Sequence, residues 1–192
     1  MKEYINNNLN NFIAGWYIDS ELCNNIVTKS KDNLTRFVSW VPQYQHYDLE
    51  SLDTDLCSQY HIMLNSVIEL YKEKYPLCYK ELQPWGRTPP RIQQYNPGQA
   101  FSRPHCENDG TADNLHRHFA YMTYLNDITD GGGTEFLNQQ ITTPATTGLT
   151  LIWPAQWTHY HRGIVAPTEV KYIVTGWFSF QTQSAIGLYK VN

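Results

Sequence analysis

The sequence predicts one α+β domain over residues 1–192: a mainly helical first half, 1–90, bracing a β-rich second half, 91–180. Three observations predict it. A long apolar stripe at helical spacing fills residues 48–75, and several β-rich runs separated by turn residues follow position 90. Aromatic side chains reach 14% of the chain while charged ones stop at 17%, a mix that suits an aromatic-lined β structure better than a helical bundle.

The elements follow in order. Residues 12–18 read as a first strand. Asp19 or Ser20 then caps a helix to about Ser30, with Leu22, Cys23, Ile26 and Val27 on one face. Residues 34–41 form a short apolar strand stopped by Pro42. The helix over 48–75 carries Leu49, Leu52, Leu56, Tyr60, Met63, Leu64, Val67, Ile68 and Tyr71 as one stripe, and Pro76 ends it. Residues 83–90, with three prolines, are a loop. Residues 91–95, 119–125, 148–153 and 170–180 are the β-rich runs. Asn96-Pro97-Gly98, Asn126-Asp127, Gly131-Gly132-Gly133 and Pro144 punctuate them. Short strands at this spacing indicate a sandwich or barrel.

Bulk properties exclude several classes. A formal net charge of −4 and the lack of any Lys/Arg block give no footprint for nucleic acid or an anionic membrane surface. No apolar run approaches the ~18 residues of a membrane span, and the first residues lack a signal-peptide h-region. Four widely spaced cysteines (Cys23, Cys57, Cys78, Cys106) read as free thiols in a reducing compartment, hence a cytoplasmic expectation.

Chemistry concentrates in residues 95–177. In the strand-like piece Arg103-Pro104-His105-Cys106-Glu107, side chains at i and i+2 share a face, so His105 and Glu107 address one point while Cys106 turns away. His159 and His161 follow in Thr158-His159-Tyr160-His161-Arg162-Gly163; both share a face if that segment is extended, so periodicity leaves either as a second imidazole. Two histidines and a carboxylate on one side of a metal, with open positions opposite, form the facial triad of non-haem Fe(II) oxygenases. Lys171, in the apolar run Val170-Lys171-Tyr172-Ile173-Val174, is a cation that could hold the far carboxylate of a 2-oxo acid. His46 and His61 read as ordinary residues of the helical half, and His116 and His118 as solvent or cleft-rim groups.

These features resemble the prolyl 4-hydroxylase branch of the 2-oxoglutarate/Fe(II) dioxygenases. The resemblance covers about residues 91–180. It rests on Tyr95-Asn96-Pro97-Gly98-Gln99, His105-Cys106-Glu107, Tyr124-Leu125-Asn126-Asp127, Gly131-Gly132-Gly133-Thr134-Glu135-Phe136, and His161-Arg162-Gly163 with Lys171. It implies a double-stranded β-helix (jelly roll) with supporting N-terminal helices packed on one sheet. It also implies the iron ligands His105, Glu107 and His161, the last chosen over His159 by its distance from Lys171. By the same resemblance Lys171 and Tyr124 hold the cosubstrate's C5 carboxylate, Tyr95 and Trp177 line the pocket, and Arg117 lies near the substrate. The implied cofactors are Fe(II), 2-oxoglutarate as cosubstrate, O₂, and ascorbate as reductant. Glu107 departs from the usual Asp, which keeps the donor but loosens the inference to a prolyl substrate. The substrate is then a peptide or protein, with a free amino acid or small metabolite as the other option. Residues 81–90 and 108–115 are the expected rim loops. Two rival readings stay open: a non-catalytic jelly-roll binding protein with a vestigial metal site, and a cupin-type oxygenase with no need of Lys171.

Overall fold

The computed structural model describes residues 1–4, 11–31, 38–41 and 44–181. The expected first strand is β2 (Ala14–Tyr17), with β1 (Glu3–Tyr4) antiparallel to it. The first helix is α1 (Ser20–Lys31), with Leu22, Cys23, Ile26 and Val27 buried as the stripe requires. The strand predicted at 34–41 appears as β3 (Val38–Val41); positions 34–37 and Pro42 lie outside the described residues.

The single helix expected at 48–75 is two. A short α2 (Leu49–Leu52) breaks at Asp53, whose backbone is extended at φ −163°, and α3 (Thr54–Lys74) restarts there. The Asp53 carboxylate accepts from the Asp55 and Leu56 amides, so a side chain that stripe periodicity treats as solvent-facing is an N-cap. Before the break, residues 44–48 form β4 (Tyr44–Asp48). Within the expected loop lies β5 (Trp85–Arg87).

The β-rich runs become β6 (Arg91–Tyr95), β7 (Arg117–Tyr124), β10 (Leu149–Pro154) and β12 (Lys171–Phe180). Besides β1, β4 and β5, three further short strands fall outside the sequence expectation: β8 (Thr134–Phe136), β9 (Ile141–Thr143) and β11 (His161–Gly163). Among the described residues the strands make two antiparallel sheets. The larger runs β1-β2-β10-β7-β12-β6-β4-β3, with β5 also on β12; the smaller runs β11-β8-β9.

Alternation on β7, β10 and β12 divides the interior in two. Phe119, Tyr121, Ile152, Tyr172, Val174 and Phe178 join residues of α1 and α3 in one cluster. Ala120, Met122, Tyr124, Leu151, Trp153 and Ile173 face the other way into a second. On the helix side the buried hydroxyls form a chain from Tyr60 on α3 through Thr123 to Thr150, with links of 2.9 and 2.7 Å. Gly176 is required there, because a Cβ would collide with the Tyr121 ring.

Candidate metal centre and cleft

The centre starts from a backbone pairing. His105 and His161 form an isolated antiparallel bridge, each amide donating to the other's carbonyl at 3.0 and 2.9 Å. This sets two sequence-distant imidazoles side by side, ring centroids 4.3 Å apart. The 103–107 segment is a loop with that one bridge rather than a strand, yet Glu107 returns to the same face as His105.

One carboxylate oxygen, Glu107 Oε1, lies 3.5 Å from His105 Nε2 and 3.4 Å from His161 Nε2. Donors that share an ion at about 2.1 Å sit roughly 3 to 3.5 Å from one another. The three residues are the one His/Cys/Asp/Glu group among the described residues that brings ligand atoms to a common point. Tautomers agree. His105 Nδ1 is 3.0 Å from the Arg103 carbonyl and His161 Nδ1 is 2.9 Å from the His159 carbonyl. Each Nδ1 therefore carries a proton to donate, and each Nε2 keeps its lone pair for the centre.

The second carboxylate oxygen is held separately. Trp177 Nε1 donates to Glu107 Oε2 at 2.7 Å, and Arg117 Nη1 reaches Oε2 at 3.4 Å and the Glu107 carbonyl at 3.1 Å. The Arg117 guanidinium lies 3.6 Å over the Trp177 ring. Burial pushes the Glu107 carboxyl pKa up, but its contacts with His105 and His161 outweigh burial and hold it well below the usual carboxylate range.

His159 is not part of this group. Its Nε2 meets the Asn11 carbonyl and its Nδ1 the Thr158 hydroxyl, both at 2.9 Å, so both nitrogens are committed. Its segment is a 3₁₀ turn (Trp157–His159), not an extended strand.

His105, Glu107 and His161 open onto a cleft of about 470 Å³, within the size range of small-molecule sites. Lys171 lies at the same cleft and is only 4% exposed. Its Nζ donates to the Gly132 carbonyl at 2.9 Å and sits 4.7 Å from the Tyr95 ring centroid. No carboxylate lies within ion-pair distance of it among the described residues, and burial pushes its pKa down to about 8. Gly132 holds φ +69°, the left-handed conformation that favours glycine. Tyr95 lines the cleft with its hydroxyl on Gln93 Oε1 at 2.7 Å.

Tyr124 sits one step behind. Its hydroxyl contacts Thr134 Oγ1 at 2.7 Å and Thr143 Oγ1 at 3.2 Å, and Thr134, not Tyr124, lines the cleft. Burial pushes the Tyr124 phenol up to about 12.

Other expectations need correcting. His118 is no rim residue: its Nε2 lies 2.9 Å from the Cys78 carbonyl and its ring packs among Trp85, Phe119 and Phe180. His46, expected in the helical half, lines the cleft from β4. Of the two rim loops, 108–115 contributes Asp109 and Asn114, whereas 81–90 does not line the cleft, because β5 pairs with the far end of β12.

Sequence reasoning missed Trp153. It is 2% exposed, lines the cleft, and packs edge-on against His161 at 5.1 Å. Its indole N–H has no acceptor in the structure. A buried ammonium without a counter-charge and a buried N–H without an acceptor, beside two lone-pair nitrogens and a carboxylate, suit a divalent ion with an oxygen-rich anionic ligand.

Comparison with known proteins points the same way. The 2OG-Fe(II) oxygenase superfamily model matches residues 90–179. The fold is similar to a viral collagen prolyl hydroxylase from Paramecium Bursaria Chlorella virus-1, solved as its 2OG complex. The TM-score is 0.65 at 16% identity, over 90% of this chain and 98% of that one. It is similar too to a Pseudomonas putida prolyl-4-hydroxylase, with TM-score 0.67 at 14% identity over 89% and 94%. A Trichoplax adhaerens prolyl hydroxylase, in complex with a hypoxia inducible factor oxygen degradation domain peptide fragment, gives 0.68 at 14% over 95% and 89%. No curated protein matches in sequence.

Proposed function

We propose that the protein, whose residues 90–179 match the 2OG-Fe(II) oxygenase superfamily model, is an Fe(II)- and 2-oxoglutarate-dependent dioxygenase that hydroxylates a C–H bond of a prolyl residue in a peptide. The observation that carries the reading is one cleft holding both the His105–Glu107–His161 group and an unpaired buried ammonium, Lys171. The reaction consumes 2-oxoglutarate, O₂ and R–H, and yields succinate, CO₂ and R–OH. Iron, when bound, supplies the activation of dioxygen and the oxidising power.

The chain's own residues supply ligation and orientation. His105 Nε2, His161 Nε2 and Glu107 Oε1 would hold the ion, with the Arg103 and His159 carbonyls fixing both rings. Trp177 and Arg117 keep Glu107 Oε2 occupied, so a single oxygen faces the centre. Lys171 would pair with the C5 carboxylate of 2-oxoglutarate, with the Tyr95 ring against its ammonium. Tyr124 would act on that carboxylate through Thr134. Trp153 stands edge-on against the His161 ring at the cleft wall, where its buried N–H would become satisfied only if a ligand oxygen reached it. Phe101, Met122 and Ile173 keep the cleft partly dry, which strengthens these interactions.

The peptidyl-proline assignment draws on the printed names of the similar structures, one of which holds a peptide. Ascorbate as reductant belongs to the same proposal. So does a cytoplasmic setting, supported by four unpaired thiols; no described helix is long and apolar enough to cross a membrane.

The test is conversion of 2-oxoglutarate to succinate with Fe(II), O₂ and ascorbate, read by NMR, alongside mass spectrometry of a prolyl-peptide panel for a gain of one oxygen. Succinate production and a single-oxygen mass gain are expected. Neither turnover nor 2-oxoglutarate binding would leave the non-catalytic jelly roll as the better account.

A further inference from the structure

The charges around the cleft are unequal. Arg91, Arg103, Arg117 and Lys171 line it against only two carboxylates, Glu107 and Asp109, although the chain as a whole carries −4. Once the site is loaded, a divalent ion and Lys171 together balance Glu107 and a dianionic cosubstrate, which leaves the inner cleft with the one positive charge of Arg117, seated on Glu107 Oε2 and the Trp177 ring. The outer groups remain.

Arg103 is exposed at the cleft, with no carboxylate within ion-pair distance among the described residues. Arg91 is half exposed, its Nε 3.6 Å from Asp48 Oδ1, a loose exposed pairing of little worth. His46 stands opposite Gln93 in the β4–β6 register and carries a buried Nδ1 with no partner. Asp109, the one outer acid, is turned onto its own loop: Oδ1 accepts from the Thr111 amide and hydroxyl and from Asn114 Nδ2. A cleft lined by one sign of charge concentrates ligands of the other sign.

We infer that the outer cleft recognises a carboxylate on the substrate, with Arg103 and Arg91 as its cationic partners and His46 as a further hydrogen-bonding group. This rests on the dioxygenase reading and narrows it: the oxidised carbon lies close to an acidic group. That group is either an Asp or Glu side chain beside the reacting residue of a peptide, or the carboxylate of a free amino acid.

The full chain, loaded with Mn(II) and 2-oxoglutarate, is titrated by fluorescence anisotropy with labelled prolyl peptides that differ only in a flanking Glu, Gln or Lys. Unlabelled L-proline and L-glutamate serve as competitors. The Glu peptide is expected to bind about tenfold tighter than the Gln peptide, with the Lys peptide weakest and the preference shrinking as salt rises. In Arg103→Gln, and further in Arg103→Gln combined with Arg91→Gln, the Glu/Gln preference falls to about twofold or less while 2-oxoglutarate affinity, read by calorimetry, is retained. Where no peptide binds, calorimetric binding of a free amino acid that is lost in Arg103→Gln combined with Arg91→Gln supports the same recognition from the small-molecule source. Equal binding of the Glu and Gln peptides, a preference that survives both substitutions, or failure of every peptide and amino acid to bind would overturn the inference. Each of these is read only in protein that binds 2-oxoglutarate; failure of wild type to bind it overturns the dioxygenase reading itself.

Discussion

The two faces of the central strands use the same backbone for opposite ends. Along β12, Tyr172, Val174 and Phe178 go to the helix side, while Lys171, Ile173, Thr175 and Trp177 go to the cleft. On the helix side the hydroxyls are matched within the fold: Tyr60, Thr123 and Thr150 hand hydroxyls to one another, and the Tyr71 hydroxyl donates to the Phe12 carbonyl at 2.8 Å. Gln94 Oε1, opposite Tyr172, is the buried acceptor on that face without a partner among the described residues. On the cleft side a buried ammonium has only a carbonyl, and an indole N–H has nothing. Unmatched buried groups cost stability unless something arrives to match them. The difference teaches where a ligand belongs, and substitutions on the two faces should separate stability from binding.

The largest effect lies at the metal. His161→Ala removes one of the three proposed ligands and is expected to abolish stoichiometric metal uptake, measured by equilibrium dialysis and elemental analysis. His159→Ala, whose nitrogens serve Asn11 and Thr158, keeps most of the uptake and loses stability instead. Equal loss of metal in both would erase the distinction between the two imidazoles.

Next comes Lys171. Lys171→Ala is expected to weaken 2-oxoglutarate binding by about 30-fold, the worth of a charge-assisted pair of roughly 2 kcal/mol. The melting temperature of the ligand-free protein should hold or rise, because an unpaired buried charge has been removed. The pH dependence has a definite sign. Burial lowers the Lys171 pKa to about 8, so the ligand-free protein loses this ammonium as pH rises through about 8. Calorimetric affinity for the dicarboxylate should therefore be retained from pH 6 to about 7 and weaken above 8, and Lys171→Ala should lose that slope. A wild-type affinity that grows above pH 8 would place the cosubstrate's carboxylate elsewhere.

The helix side should respond the other way. Tyr60→Phe breaks the buried hydroxyl chain and leaves Thr123 one partner short, a loss of about 1 to 2 kcal/mol in denaturant unfolding. Its 2-oxoglutarate affinity should match wild type. A change in affinity comparable to that of Lys171→Ala would mean that the two faces are coupled through the sheet.

How much of this was legible depends on the length scale of each signal. Residues 91–95 emerge as β6 to the residue, and the buried members of the α3 stripe, from Tyr60 to Tyr71, lie where helical spacing put them. The break at Asp53 was hidden because a capping residue looks like any polar position on a stripe. β8, β9 and β11 have three residues each, too few to display alternation, and β4 reads Tyr-Gln-His-Tyr-Asp, with no apolar period to mark it. Missing β4 hid His46 and Tyr44 from the cleft. The pairing of Glu107 with Trp177 joins residues far apart in the chain, and nothing local in either announces it. His105 and Glu107 were legible from spacing, and they meet although the segment is a loop. His161 needed the resemblance, since periodicity alone leaves it level with His159.

The smallest predicted effect tests the comparison most finely. Trp153 belongs by strand alternation to the cleft side, yet its ring packs like a core residue between Phe136 and His161. Trp153→Phe keeps an aromatic ring and deletes the N–H that lacks an acceptor. If that N–H is held for a ligand, deleting it relieves a buried unsatisfied donor, so the ligand-free protein should unfold within about 1 kcal/mol of wild type after the smaller ring is allowed for. Affinity for 2-oxoglutarate should fall about threefold to tenfold, a neutral hydrogen bond's worth. The opposite pair of results, lower stability with unchanged affinity, would make Trp153 a packing residue. The line between the two faces would then run through β10, between Trp153 and the cleft, rather than along the plane of the sheet.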